Sequence, residues 1–220
     1  MRQYIELSYP LEPGMPTLPF SHHPLTEFIQ TGRICMEGSQ AHRIVFGTHT
    51  GTHIDAPNHM IQDAKPGVDQ IPLERLIGPA KLLKLKKGEQ ETIEPEDLEP
   101  AKLKQGDRLL ISTGWGKQWG SKKFYFDFPY FSQAAVMYLV EKKVWLVGMD
   151  IPAPEPMGLP AGDPRKNWNH KAFFRGDVFI VEGMANLDQI PVNEFQLIVL
   201  PLRARNMDGF PVRAVAVCEV

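Results

Sequence analysis

Val144-Trp145-Leu146-Val147 and, later in the chain, Gln196-Leu197-Ile198-Val199-Leu200 put apolar side chains on both faces of an extended backbone. Runs of this kind belong to central strands covered on both sides, the arrangement of a sheet with helices packed over it. Working outward, further β-rich runs occupy residues 4–9, 42–48, 80–85, 108–112, 178–181 and 213–220, and the first run extends over 144–150. The clearest helix is 132–142, where Ser132 is placed to cap and Ala135, Leu139 and Val140 share a face. Residues 73–77 and 95–98 read as shorter helical turns, and the mixed-sign run 84–99 as a solvated hairpin leading into a helix. The sum is an α/β fold with an excess of strand. With 220 residues, 43% of them hydrophobic, the chain can bury one full core, and 1–220 reads as a single domain.

The densest chemistry lies in His49-Thr50-Gly51-Thr52-His53-Ile54-Asp55-Ala56-Pro57-Asn58-His59, which holds three of the chain's seven histidines beside a carboxylate. His53 and Asp55 are two apart, so on a strand they point to one side, roughly 6–7 Å apart at Cα, and can converge on one ion. Along an extended chain His49 and His53 would stand roughly 13 Å apart. Gly51 supplies the bend that its β-branched neighbours Thr50 and Thr52 resist, and Pro57 stops the strand and swings His59 back. This segment alone offers the three protein ligands of a mononuclear zinc site. Farther on, His170 falls in a short helix and Glu182 ends the apolar run Val178-Phe179-Ile180-Val181. A carboxylate is seldom left at a buried strand end without a cation. No Lys or Arg adjoins Glu182 at strand spacing, so its partner is either a distant cation folded over it or a metal shared with His170 and the first segment.

The pattern His-x3-His-x-Asp-x3-His from His49 to His59, followed by His-x11-Glu-Gly at His170, Glu182 and Gly183 and by Asn186-Leu187-Asp188-Gln189, resembles the kynurenine formamidase/cyclase family of metal-dependent hydrolases, isatin-hydrolase-like members included. Ile5-Glu6-Leu7-Ser8, Gly78-Pro79-Ala80, Thr113-Gly114-Trp115 and Val147-Gly148-Met149-Asp150-Ile151-Pro152 extend the likeness over most of the chain. The resemblance implies a swivelling β/β/α fold, a homodimer or larger homo-oligomer, and two divalent ions, zinc or manganese. It gives His49, His53 and Asp55 to one ion and Asp55, His170 and Glu182 to the other, with Asp55 bridging and His59 beside them as proton carrier. The chemistry suits the division: a metal-activated water attacks a polarised carbonyl, and an unmetallated imidazole is the side chain suited to deliver the proton to the leaving nitrogen. His53, Asp55 and His170 also spell the two-His-one-carboxylate triad of mononuclear non-haem iron oxygenases. That reading leaves His49, His59 and Glu182 without a task.

The substrate implied is a small amide, an aryl formamide or a cyclic amide such as isatin. In the resembled formamidases the Pro-rich N-terminal loop carries a Trp against the aromatic substrate; in Met15-Pro16-Thr17-Leu18-Pro19-Phe20 that position falls on Leu18. Leu18 and Phe20 make an apolar lip, and Trp115 or Phe46 adds aromatic surface. A kynurenine formamidase proper stays open beside the cyclic-amide reading. His22 and His23 either contact substrate or are exposed polar residues. The Pro-studded segment 152–164 is irregular, and is a wall of the pocket or a surface connector. Asp150 either orients a ligand His or caps the turn that follows.

The remaining features bound the setting. Net charge is −2 without a basic stripe, so nucleic acid is not an expected partner. No segment has the apolar length of a membrane span, and Met1-Arg2-Gln3-Tyr4-Ile5-Glu6 lacks the apolar core of a signal peptide, which reads as cytoplasmic. Cys35 and Cys218 stand in unrelated contexts and suggest neither a disulfide nor a thiolate site.

Overall fold

The computed structural model describes residues 1–18 and 20–219. Val220, the end of the last expected strand, and Pro19 of the N-terminal loop lie outside them. The strands are β1 (Arg2–Glu6), β2 (Glu27–Gly32), β3 (Ala41–Val45), β4 (His53–Asp55), β5 (Ile77–Lys84), β6 (Thr92–Ile93), β7 (Arg108–Ser112), β8 (Tyr130–Phe131), β9 (Leu146–Met149), β10 (Phe179–Glu182), β11 (Glu194–Pro201) and β12 (Gly209–Glu219). The helices are α1 (Ile34–Glu37), α2 (Leu73–Leu76), α3 (Pro95–Leu98), α4 (Lys122–Phe126), α5 (Gln133–Glu141) and α6 (Trp168–Arg175).

The main sheet runs β1-β12-β11-β5-β7-β9-β10-β4 and closes because β4 also pairs with β12. Seven strands therefore form a barrel, to which β1 adds along β12. β5, β7, β9 and β10 are parallel to one another. Strand alternation divides the apolar side chains between two cores. Ile54, Leu82, Leu110, Leu146, Val181, Leu197, Val199 and Ala214 fill the barrel. The opposite faces of β7, β9 and β10 send Leu109, Ile111, Val147, Met149 and Ile180 into a second core, where α5 supplies Ala135, Val136 and Leu139 and α6 supplies Phe173. The Ser132 hydroxyl starts α5 by accepting the Ala135 N–H at 3.1 Å.

β9 is buried at every position, as its sequence requires. β11 departs from the expectation of a strand covered on both faces: it alternates, with Gln196 and Leu200 exposed. No residue of β11 enters the second core, so its outer face meets no helix there. The run 84–99 is not a hairpin. Thr92 and Ile93 pair in parallel with Tyr130 and Phe131, because Ile93 and Leu98 are fully buried and must dock in the second core. The run expected at 42–48 stops at Val45, where β3 pairs with β2 in a separate two-stranded arm. Among the described residues no helix is long and apolar enough to cross a membrane.

Candidate active site

Ile54 points into the barrel, so His53 and Asp55 on either side of it point to the other face. Antiparallel register sets Glu182 of β10 opposite His53, and Val181 fills the barrel, which places the Glu182 carboxylate on that same outer face. Gly51 turns the chain at φ 65°, a conformation that costs glycine little, and His49 comes back to Asp55 with Nδ1 2.8 Å from Oδ1. Pro57 ends β4 and opens the short helical turn Pro57–His59, which lays the His59 ring 3.8 Å from that of His49. From the other side α6 delivers His170, with Nε2 3.4 Å from Asp55 Oδ2 and 3.0 Å from Glu182 Oε1. Asp55 thus shows Oδ1 to His49 and His53, at 2.8 and 3.2 Å, and Oδ2 to His170.

His49, His53, Asp55, His170 and Glu182 are all buried. Among the described residues no Lys or Arg ion-pairs with Asp55 or Glu182, whose charged neighbours are imidazoles. Burial opposes the ionised form of Asp55, yet the imidazoles of His49 and His53 outweigh it and hold the carboxyl well below its usual range. Burial likewise opposes charge on His49, but the carboxylates of Asp55 and Asp208 push it up to about 10. Burial opposes charge on His170 too, but the carboxylates around it, Glu155 foremost, raise it well above the usual imidazole range.

This donor set fits divalent cations. His53 Nε2, Asp55 Oδ2 and Glu182 Oε1 are buried without a hydrogen-bond partner, and each orphaned buried polar atom costs about 1–3 kcal/mol unless something occupies it. His53, Asp55 and Glu182 each offer a ligand atom within 4.8 Å of the others, and so do His49, Asp55 and His59. The outer partners set the tautomers. His53 Nδ1 donates to the Gly51 carbonyl at 2.9 Å, and His170 Nδ1 donates to Glu155 Oε1 at 2.7 Å while Oε2 accepts the His170 backbone N–H. With an ion in place of the shared proton, both Nε2 atoms would be free to act as ligands on the side of the carboxylates, the arrangement in which ligand histidines are held.

A cavity of about 330 Å³ opens over the cluster, with Leu18, Phe20, His22, His23 and Met60 among its walls and Pro156, Met157, Leu159 and Lys166 among the rest. Segment 152–164 therefore contributes wall as well as connection. The aromatic lip is made by Phe20 and His22, whose rings stack at 5.7 Å, with His23 beside them. Burial and the neighbouring imidazoles push His23 down to about 4. Trp115 does not line this cavity. It is buried in the second core, where its indole N–H donates to the Phe124 carbonyl at 3.1 Å. Phe46 is likewise engaged elsewhere, edge-on against Phe210 at 5.6 Å. Asp150 reaches no histidine: it caps the turn after β7, accepting the backbone N–H of Thr113 and Gly114 and the Thr113 hydroxyl.

Two carboxylates went unmarked in the sequence. Glu155 lies between Pro154 and Pro156, and Asp208 precedes Gly209 at the start of β12. The only available signal was an isolated acid in a Pro- or Gly-rich stretch.

The "Putative cyclase" family model matches residues 5–156. A kynurenine formamidase of Geobacillus thermodenitrificans is 32% identical over 222 residues, covering 97% of each chain. A solved structure described as a potential metal-dependent hydrolase with cyclase activity superposes with a TM-score of 0.81 at 27% identity, covering 100% of both chains. An isatin hydrolase bound to the product analogue thioisatinate shares the fold with a TM-score of 0.89 at 23% identity, over 100% of this chain and 93% of that one. The chain belongs to the cyclase family.

Proposed function

We propose that this protein is a metal-dependent hydrolase of carbon–nitrogen bonds other than peptide bonds, acting on an aryl formamide or a cyclic amide such as isatin. The observation that carries the reading is the buried Asp55 carboxylate, one oxygen turned to His49 and His53 and the other to His170 beside Glu182, behind a cavity into which His49, His53, His170 and Glu182 open. His49, His53 and Asp55 would hold one divalent ion and Asp55, His170 and Glu182 a second, zinc or manganese. When bound, such ions lower the pKa of a coordinated water and polarise the scissile carbonyl. The related kynurenine formamidase and metal-dependent hydrolase of the same family support the reaction class. Soluble action in the cytoplasm as a homo-oligomer completes the reading.

The chain's own residues do the rest. Glu155 and the Gly51 carbonyl fix His170 and His53 with Nε2 toward the cluster. Leu18, Met60 and Met157 wall the cavity and exclude water around the amide. His59 reaches ligand range with His49 and Asp55, but it is half-buried and lines the cavity, and its Nδ1 is taken by Asp208 at 3.4 Å. Among the described residues its Nε2 makes no hydrogen bond, which suits the proton carrier for the leaving nitrogen. The iron-oxygenase triad of His53, Asp55 and His170 gives no task to His49 or Glu182, which the same buried cluster holds.

The test is a screen of N-formylkynurenine, formyl anilides, isatin and small cyclic imides against protein loaded with zinc or manganese, with metal per chain measured beside it. Hydrolysis of one of these amides with two ions bound supports the reading. A single oxidisable iron with oxygen uptake, or no amide turned over at full loading, overturns it.

A further inference from the structure

Asp208 belongs to none of the proposed ligand sets, yet the start of β12 is built around it. Its carbonyl accepts the Ala56 N–H at 2.8 Å, and the next residue, Gly209, pairs with Asp55. The His49 ring lies so close over Gly209 that a Cβ there would stand 2.5 Å from Cε1. Backbone and glycine thus bring the Asp208 carboxylate up to two imidazoles at once. Its Oδ2 lies 2.9 Å from His49 Nε2 and 3.4 Å from His59 Nδ1, and the two rings overlap at 3.8 Å with 36° between their planes. Thr48, His22 and His23 line the neighbouring cavity; among the described residues the other carboxylate within reach of His59 is Asp55, which the proposed ions would occupy.

We infer that Asp208 is a positioning residue for His59: it accepts the Nδ1–H, fixes the tautomer whose lone pair is on Nε2, and holds the ring in register over His49. The inference rests on the reading of His59 as proton carrier. It explains why a carboxylate is placed where the ligand sets need none. A carboxylate accepts an N–H roughly twice as strongly as a neutral oxygen does, so an amide at this position leaves the ring less firmly held. Partners that orient ligand histidines are typically worth about 10–100-fold, and a carboxylate that orients a proton carrier is expected to act on the same scale.

The experiment compares Asp208→Asn, Asp208→Glu and the double variant His59→Ala/Asp208→Asn with wild type and His59→Ala, all loaded with zinc. Metal per chain, kcat and KM are measured for each. Imidazole nitrogen NMR shifts report the His59 tautomer, assigned by their loss in His59→Ala. Asp208→Asn should retain its zinc, lower kcat about 10–100-fold with KM nearly unchanged, and lose the pure Nδ1–H signature of His59. Asp208→Glu should restore part of kcat, and the second substitution should cost nothing further in the His59→Ala background. Zinc lost in proportion to kcat would make Asp208 a support for His49 and overturn the inference, as would an unaltered tautomer or an additive double variant. Should wild type hydrolyse no amide, the proposed function fails by itself, while the tautomer comparison still decides what Asp208 does.

Discussion

Gly209→Ala tests whether the His49 ring is held in the one place the cluster requires. The added Cβ would meet Cε1 at 2.5 Å, Nδ1 at 2.9 Å and Nε2 at 3.1 Å, whereas ordinary contact begins at 3.4 Å. The ring must therefore retreat by about 0.9 Å (3.4 − 2.5). Its contacts to Asp55 and Asp208, now 2.8 and 2.9 Å, would stretch beyond hydrogen-bond range. Metal–ligand distances tolerate only about 0.2 Å, so on the proposed ligand set His49 would no longer hold its ion. Overpacking of this kind costs about 1–3 kcal/mol, and for a chain of this length each kcal/mol lowers Tm by about 2–4 °C, a fall of roughly 2–12 °C. Calorimetry and elemental analysis after dialysis read both effects. A variant that keeps full metal and melts with the wild type would show that the ring has room to move and that the close packing over β12 has no part in the site.

Asp55→Ala should lose more metal than Glu182→Ala, since Asp55 faces both groups of histidines and Glu182 only His53 and His170; two ions retained without Asp55 would refute bridging. His59→Ala should keep its metals and fold while turnover drops about 10²–10⁴-fold, and metal loss parallel to activity would make His59 a ligand instead. Leu18→Trp should raise kcat/KM for N-formylkynurenine relative to isatin by roughly 2- to 12-fold, the rate equivalent of the about 0.5–1.5 kcal/mol that an aromatic pair adds. A wild type already favouring N-formylkynurenine by a wide margin would make the missing Trp irrelevant.

The parts of this molecule that announce themselves in sequence are the local ones. Gly51 and Pro57 punctuate the segment from His49 to His59, so its bend could be read directly, and the 3.1 Å cap at Ser132 follows from one residue before an apolar face. Closure of the barrel could not be read. It depends on His53, Ile54 and Asp55 pairing with Pro211, Phe210 and Gly209 across most of the chain length, and three-residue strands carry too little periodicity to mark a partner. Glu155 and Asp208 escaped for a related reason: a single acid in a loop has no pattern, and its meaning comes from the imidazole that folding sets against it. Trp115 misled because an aromatic after a strand suggests a binding wall, whereas its indole N–H found a buried carbonyl and its ring found the second core.

The strand that closes the barrel also carries two of the candidate ligands. β4 is three residues long, joined by three pairs to β10 and three to β12, and two of its three side chains, His53 and Asp55, face the cluster. If the cluster holds ions as proposed, ion capture and ring closure would be coupled: an ion at a hundred times its dissociation constant would add about 2.7 kcal/mol to the folded state. Depletion by a chelator should accordingly loosen the seam where β4 meets residues 209–211 first, where proteolysis would find it. On that reading the three residues that close the ring would also set how firmly it stays closed, so one short strand would join the barrel's integrity to the occupancy of the site.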